Sequence, residues 1–338
     1  MREVHLTQPQ ATAESITSMA SDSQLQFGAG VVAAECFGPN GGVTGLDDLR
    51  GVPLTWVKGR TSGDGLGGVH LRAVAGIEIR PLMLDGWTVG TVVEGPHAVE
   101  CMLAGIHADD LTDSAPLQAR AAFERIEEAL ALAEMDFSHV VRTWLFLDDI
   151  LAWYPEFNVV RTTFFTERGV FDRMVPASTG IGGANPMGAA MVAGAYAVKA
   201  KSPEVRVEAL PSPLQCPALQ YGSSFSRAAE VDMPDIRRVF VSGTASIAPG
   251  GDTVHSGDVA AQAARTCEVI EAILTSRGMS WEDVTRATAY VRYPEDAGVL
   301  EEHRIAAGIP EFPVIVAHNV ICRQDLLFEL EVDAVQVR

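Results

Sequence analysis

An internal repeat limits the folds that this chain of 338 residues can adopt. In the second half, GDVAAQAARTCEVIEAILTSRGMSWEDVTRATAYV (257–291) places apolar residues at helical spacing and then alternates like a half-buried strand. In the first half, DSAPLQARAAFERIEEALALAEMDFSHVVRTWLFL (113–147) aligns with it without a gap, so that Arg142 matches Arg286. We therefore expect two related units, each containing a long helix followed by a strand.

The ends of the two units also align without a gap. VPASTGIGGANPMGAAMVAGAYAV (175–198) matches FPVIVAHNVICRQDLLFELEVDAV (312–335). A shorter helix is expected before each end, over residues 153–168 and 295–307. The pattern predicts an α+β fold of two halves, each a β-sheet with helices packed on one face.

The stretch AKSPEVRVEALPSPLQCP (200–217) is rich in Pro and Ser and is expected to link the halves. The predicted domains are therefore residues 1–205, a diverged copy, and residues 206–338. FGAGVVAAECFG (27–38) has the composition of a buried strand, whereas the polar residues 1–25 are expected to fray. The glycine-rich GDGLGG (63–68) is interpreted as a loop, because no lysine or helix pattern follows it to form a phosphate site.

Charge and composition exclude several classes of function. The chain carries 25 Lys+Arg against 44 Asp+Glu, a formal net charge of −19, which argues against nucleic acid or an anionic membrane as partner. No signal peptide or membrane span is apparent, and the five cysteines are scattered without a CxxC pair, so a cytoplasmic protein is expected. The eight histidines are dispersed, and neither a metal nor a cofactor is expected.

The terminal strand carries an unusual row of acids. In LLFELEVDAV, one face is apolar and the other presents Glu329, Glu331 and Asp333. Such a row is often a solvated outer face. The repeat favours a functional role instead, because the aligned residues of the first half are Val192, Gly194 and Tyr196.

The residues before this strand show the same asymmetry. Cys322 aligns with Asn185, and Arg323 aligns with Pro186. A shared fold requires only the apolar positions, whereas a single active site needs the acids, the cysteine and the arginine once. The second half is therefore predicted to carry the site.

Two resemblances add to this interpretation. The second half resembles the Rid (YjgF) family in VFVSGTASI (239–247), GDVAAQ (257–262) and the terminal strand preceded by CR. The whole chain resembles the chorismatases in QYGSSFSRA (220–228), RTWLFLDDILAWYPEFNVVRTTFF (142–165) and STGIGGANPMGA (178–189).

The second resemblance implies two chorismate-mutase-like halves, with a site in the second half that is closed by residues of the first. Chorismatases release pyruvate from chorismate and leave either a dihydroxycyclohexadiene carboxylate or a hydroxybenzoate. The family usually supplies starter units for secondary metabolite biosynthesis.

The resemblance also implies roles for individual residues. In the family the catalytic acid lies seven residues after the Cys position, which places it at Glu329, with Glu331 as the fallback. Cys322 occupies the position where a cysteine accompanies 3-hydroxybenzoate as the product. A second determinant is a Gly-or-Ala choice near SGTAS, where Gly243 and Ala245 are both candidates.

A dianionic substrate requires guanidinium groups and close backbone amides. Arg161 and Arg323 are the first choices for binding the carboxylates, followed by Arg142 and Arg227. The remaining predicted substrate-binding residues are Tyr154, Tyr221, Gly180, Gly182 and Gly243.

Three alternatives to a 3-hydroxybenzoate-forming chorismatase stay open at this point. They are a chorismate hydrolase that gives the dihydroxycyclohexadiene carboxylate, a Rid-type enamine or imine deaminase, and a non-catalytic small-molecule binding protein. The oligomeric state is equally open, between a homotrimer of the Rid kind and a monomer with internal pseudo-symmetry.

Overall fold

The computed structural model describes residues 2–9, 13–38, 51–59 and 66–338. These residues form three β-sheets of four, seven and six strands together with five α-helices. The interpretation of GDGLGG as a loop falls partly on residues 63–65, which lie outside the described residues.

The first sheet comes from the part of the sequence that carried the fewest predictions. Its strands, in the order β1-β4-β2-β3, are β1 (Arg2–Pro9), β2 (Ala29–Phe37), β3 (Leu54–Val57) and β4 (Gly68–Ala75), and helix α1 (Ala13–Phe27) packs on it. The buried strand predicted in 27–38 is confirmed. The expected fraying is wrong for β1 and α1, because β1 pairs with β4 along its whole length and Glu3 forms ion pairs with Arg72 and Arg238.

The second sheet belongs mainly to the first repeat unit. Its strands, in the order β16-β9-β8-β10-β7-β6-β5, are β5 (Ile79–Leu84), β6 (Trp87–Glu94), β7 (Ala98–Ile106), β8 (Val140–Leu147), β9 (Ala177–Gly182), β10 (Met191–Ala200) and β16 (Val320–Ile321). Helices α2 (Ala115–Ala131) and α3 (Ile150–Glu167) cover one face. Because β16 comes from the second unit, this sheet joins the two halves.

The third sheet belongs to the second unit. Its strands, in the order β11-β12-β13-β17-β14-β15, are β11 (Arg206–Leu210), β12 (Ala228–Asp232), β13 (Ile236–Ala245), β14 (Val284–Val291), β15 (Val314–His318) and β17 (Phe328–Val337). Helices α4 (Val259–Ser276) and α5 (Val299–Ala307) complete it. The division of the chain at 205/206 stays a prediction. No helix in the described ranges is long and apolar enough to cross a bilayer.

The structure confirms the internal repeat at the level of single elements. Helix α2, a short 3₁₀ turn and strand β8 recur in the same order and lengths as α4, a 3₁₀ turn and β14, apart from one extra residue at the end of α4. Asp258 begins α4 as its N-cap, because its side chain accepts a hydrogen bond from the amide of Ala261 at 2.9 Å. Gly278 follows the helix with a φ of +69°.

The second and third sheets pack face to face, with the helices on their outer sides. Phe146 and Tyr196 of one sheet share a buried cluster with Phe240 and Tyr290 of the other. The acidic face of β17 therefore lies in the interior between the sheets and is not a solvated outer face. Buried carboxylates require hydrogen-bond donors or positive charges nearby, so the groups around β17 define the site.

Candidate active site

A cavity of about 650 Å³ lies where α3 and β9 of the first half meet β13 and residues 322–329 of the second. Its walls include nine of the residues predicted to form the site: Glu329, Cys322, Arg161, Arg323, Arg227, Tyr154, Tyr221, Gly243 and Gly180. Stretches that are far apart in the sequence therefore meet around one space, which is large enough for a small organic molecule.

Glu329 contributes a carboxyl group to this cavity from β17. Its side chain is buried, and the register of the sheet places it between Ala245 of β13 and Tyr290 of β14. Burial, assisted by the negative charge of Glu331, raises the pKa of Glu329 to about 8, although Arg142 and Arg227 oppose the shift. The group is therefore predominantly a neutral acid at neutral pH.

Gly243 makes room for this acid. A Cβ atom on Gly243 would lie 2.0 Å from Oε1 of Glu329. The amide of Gly243 donates a hydrogen bond to Oγ1 of Thr179 at 3.0 Å, which holds the glycine beside β9. Of the two candidates for the Gly-or-Ala position, both line the cavity, but Gly243 is the one pressed against the acid.

Glu331, the fallback acid, lies behind the cavity and does not line it. It is fully buried and accepts hydrogen bonds from Arg142 at 2.7 Å, from Arg286 at 2.7 Å and from the Thr179 hydroxyl. Burial raises the pKa of Glu331, but the positive charges of Arg286 and Arg142 lower it by a larger amount. The pKa of Glu331 therefore lies below its usual range. Two neighbouring carboxyl groups are thus driven to opposite protonation states.

Arg161 reaches the cavity from α3. It is buried over the rings of Phe157 and Phe225, and its Nη2 donates a hydrogen bond to Asn158 at 2.6 Å. In the described part of the chain its Nε has no hydrogen-bond partner. A buried guanidinium with a free donor is suited to bind a carboxylate of a ligand. Burial lowers the pKa of Arg161, whose charge a bound anion would compensate.

Two further guanidinium groups lie on the same aromatic ring. Arg227 and Arg323 are 5.3 Å and 5.2 Å from the ring centroid of Tyr221. Each is fixed to the backbone, Arg227 by the carbonyl of Cys216 at 2.9 Å and Arg323 by that of Gly251 at 2.9 Å. Three arginines thus give the cavity a local positive charge in a strongly acidic protein, as a dianionic ligand requires.

Cys322 and Tyr154 complete the wall next to the acid. Burial and the nearby Glu329 raise the pKa of the Cys322 thiol to about 12. Burial, with a smaller contribution from Cys322, also raises the pKa of Tyr154. Both groups are therefore neutral at physiological pH, and Cys322 acts as a small neutral wall group and not as a thiolate.

Two predicted substrate-binding residues are not brought to the cavity. Arg142 is fully buried on β8, where its Nη2 donates to Glu331 and to Thr179, so it belongs to the acid network behind the cavity. Gly182 faces away, because a Cβ there would collide with Ile150 and Val320. Its small size permits the packing of β16 on β9.

Some lining residues were missed by sequence reasoning. Polar side chains of Asn158, Ser178 and Ser223 and the ring of Phe225 also line the cavity. Three of them lie in the segments YPEFNVVR and SSFSR, whose motif-like character was the available signal. Ser178 and Thr179 begin the chorismatase-like stretch STGIGGANPMGA, but nothing in the sequence indicated a role for their hydroxyl groups.

The first half contains a counterpart that lacks the acid. A cavity of about 260 Å³ is lined by Asn185, Pro186 and Val192, which the repeat aligns with Cys322, Arg323 and Glu329. The amide of Gly105 donates to Oγ1 of Thr55 at 2.9 Å, as Gly243 does to Thr179. The backbone arrangement around the cavity therefore occurs in both halves, but the cysteine, the arginine and the acid at these aligned positions occur only in the second. This difference supports the interpretation of a single site per chain.

Comparisons with known proteins agree with this architecture. Residues 92–193 match the family "Chorismatase FkbO/Hyg5-like, N-terminal", and residues 220–336 match "Endoribonuclease L-PSP". The chain is 32% identical over 225 residues to a chorismatase of Streptomyces rapamycinicus, covering 59% of this chain and 65% of the relative. It is 31% identical over 241 residues to a 3-hydroxybenzoate synthase of Streptomyces hygroscopicus, covering 63% and 67%.

The fold as a whole has a counterpart among solved structures. A chorismatase crystal structure superposes with a TM-score of 0.70 at 20% identity and covers 98% of each chain. This likeness confirms the predicted α+β fold.

Proposed function

The chain belongs to the chorismatase family, and we propose that it cleaves the enolpyruvyl ether of chorismate to pyruvate and 3-hydroxybenzoate. One observation carries this proposal. A buried carboxylic acid that remains protonated at neutral pH, Glu329, faces a cavity lined by three guanidinium groups. Acid-labile enol ethers with two carboxylates need this combination of an acid and cations.

Substrate binding would rest on the arginines. Arg161, Arg323 and Arg227 are each fixed by a hydrogen bond, so little side-chain entropy is lost when they bind carboxylates. The net charge of −19 repels an anion at long range, but salt at physiological concentration screens charges that are more than about 8 Å away. The nearby arginines therefore dominate the interaction with the substrate inside the cavity. The substrate is thus selected inside the cavity.

The reaction would begin at Glu329. Its carboxyl proton passes to the methylene carbon of the enol ether, and the π electrons form the new C–H bond. The adjacent carbon becomes an oxocarbenium ion, and Glu329 becomes a carboxylate beside it. The developing positive charge is stabilised by this carboxylate.

The fate of the cation determines the product. Attack by a water molecule consumes one water and leaves the dihydroxycyclohexadiene carboxylate with pyruvate. Attack by the ring hydroxyl of the substrate forms a bond between the hydroxyl oxygen and the cationic carbon, and the hydroxyl proton returns to the Glu329 carboxylate. The bond between this oxygen and the ring then breaks, and the ring becomes aromatic by losing the proton from the carbon that bears the ether oxygen. The ether oxygen takes up a proton and separates from the pyruvyl carbon as the phenol, so that chorismate divides into pyruvate and 3-hydroxybenzoate without consuming water. We favour the second route because Cys322 lines the cavity beside the acid and Gly243 lies against it. The 3-hydroxybenzoate synthase among the relatives supports the same choice.

The test is incubation of the purified protein with chorismate and identification of the products by mass spectrometry. We expect pyruvate and 3-hydroxybenzoate in equal amounts, and no pyruvate from Glu329→Ala. Pyruvate with the diene acid would replace the product assignment by that of a hydrolase. If the protein released ammonia from an imino acid and left chorismate intact, a Rid-type deaminase would be the better description.

A further inference from the structure

We propose that Glu331 is a permanently ionised positioning residue whose buried charge acts together with the burial of Glu329 to keep Glu329 in its acid form. The inference deepens the proposed function, since it rests on Glu329 as the proton donor. The two acids on this face of β17 then have different roles: Glu329 donates the proton, and Glu331 stays ionised.

The hydrogen bonds of Glu331 identify it as a carboxylate. Oε2 accepts from Arg142 at 2.7 Å and from the Thr179 hydroxyl, while Oε1 accepts from Arg286 at 2.7 Å and from the Tyr290 hydroxyl at 3.2 Å. The Thr179 hydroxyl has its own lone pairs engaged by Arg142 at 2.5 Å and by the amide of Gly243 at 3.0 Å. Its proton therefore points to Glu331, which leaves the carboxylate surrounded by donors.

The donors come from both repeat units. Arg142 on β8 and Arg286 on β14 are equivalent positions of the repeat, yet both bind the one carboxylate of Glu331 on β17. Glu35 of the first sheet adds an ion pair to Arg286. A carboxyl group of the N-terminal region therefore lies beside the same buried network and shares Arg286 with Glu331.

The link to Glu329 is short. Glu329 and Glu331 are two residues apart on the same face of β17, so their carboxyl groups are neighbours. Two like charges in a buried site cannot both form easily, and the group with more donors is the one that ionises. Glu329 is therefore left as the acid, while Thr179 ties Gly243 into position beside it.

Other titratable groups interact with the pair as well. In the described residues they are Arg142, Arg227, Arg286, Glu35, Asp333, Tyr154, Cys322 and Tyr290. Burial and the charge of Glu331 together raise the pKa of Glu329 by more than Arg142 and Arg227 lower it.

A titration that needs no substrate tests the inference. The carboxylic acid band of Glu329 is followed by infrared difference spectroscopy against pH, with Glu329→Gln to identify the band. We expect a midpoint near 8 in the parent protein. In Glu331→Gln we expect it to fall by about one pH unit or more, because a neighbouring negative charge is removed. An unchanged midpoint would overturn the inference.

A matched control separates electrostatics from damage to the fold. Glu230 is also fully buried in ion pairs, with Arg237 and Arg277, but lies on β12 away from the cavity. Glu230→Gln should leave the midpoint in place, and an equal shift there would refute a specific role for Glu331. If Glu331→Gln does not fold, the double variant Arg142→Gln/Glu331→Gln removes a charge pair as a unit. It should show a shift in the same direction but a smaller one, because Arg142 opposes the effect of Glu331 on Glu329.

The enzymatic readout distinguishes this inference from the proposed function. In an active protein, the alkaline limb of kcat/KM for pyruvate release should move to lower pH in Glu331→Gln, whereas a purely structural defect would lower the rate at every pH. If the parent protein does not cleave chorismate, the proposed function fails, and the infrared midpoints still decide whether Glu331 controls Glu329.

Discussion

Replacement of Gly243 by alanine tests how closely the acid must be placed. The added Cβ would lie 2.0 Å from Oε1 and 3.1 Å from Cδ of Glu329, and 3.1 Å from Cγ2 of Thr179. The carboxyl group must therefore retreat by roughly 1 Å, and such a displacement of a catalytic group costs about 100-fold in rate, or ~2.7 kcal/mol. The moved atoms are the end of a flexible side chain, so the fold should be retained.

The assay is the initial rate of pyruvate release from chorismate, together with thermal denaturation. We expect Gly243→Ala to lower kcat by about 100-fold with little change in Tm. Gly180→Ala is the comparison, because it adds the same methyl group to the cavity wall with its nearest neighbour, the Tyr154 ring, at 4.0 Å. Its rate should fall much less. Equal losses in both variants, or a Gly243→Ala protein with parental kcat, would refute the displacement argument.

Four further predictions follow from the site. Because Glu329 must be protonated and its pKa is about 8, kcat/KM for pyruvate release should be level at neutral pH and fall about tenfold per pH unit above 8; a level profile at alkaline pH would contradict its role. The pKa of Glu329 is about 8 in the folded protein and 4.5 in its ordinary state, so between pH 4.5 and pH 8 the group ionises only on unfolding, and the free energy of unfolding falls as the pH rises. Glu329→Gln removes this loss of stability and should therefore raise Tm more at pH 8 than at pH 5, as measured by calorimetry. Arg161→Met should raise KM for chorismate by roughly 10- to 100-fold through loss of a charge-assisted hydrogen bond, whereas Arg120→Met, on the exposed side of α2, should not. Calorimetric titration with 3-hydroxybenzoate should give one site per chain, because Val192 and Pro186 replace the acid and the arginine in the first-half cavity; two equivalent sites would disprove this asymmetry.

The repeat and the chemistry of the second half can be predicted from residue types alone. Helical and strand periodicities are local properties, so α2 and α4, and β8 and β14, could be aligned from residue types alone. The contrast between Glu329 and its counterpart Val192 likewise needed only the alignment of the two units. The chorismatase resemblance then supplied an acid, a cysteine and two arginines that all line the cavity.

Which charged side chains form pairs depends instead on how the three sheets pack. Arg142 resembled a substrate ligand in sequence, but the packing of the second sheet on the third directs it to Glu331. The polar start of the chain is expected from its sequence to fray, yet Glu3 forms an ion pair with Arg238 of the third sheet, and Glu35 forms one with Arg286. The physical reason is that a carboxyl group's ionisation depends on burial and on partners that are distant in sequence. Periodicity identifies the face on which Glu329 and Glu331 lie, but only the assembled sheets make one of them an acid and the other an anion.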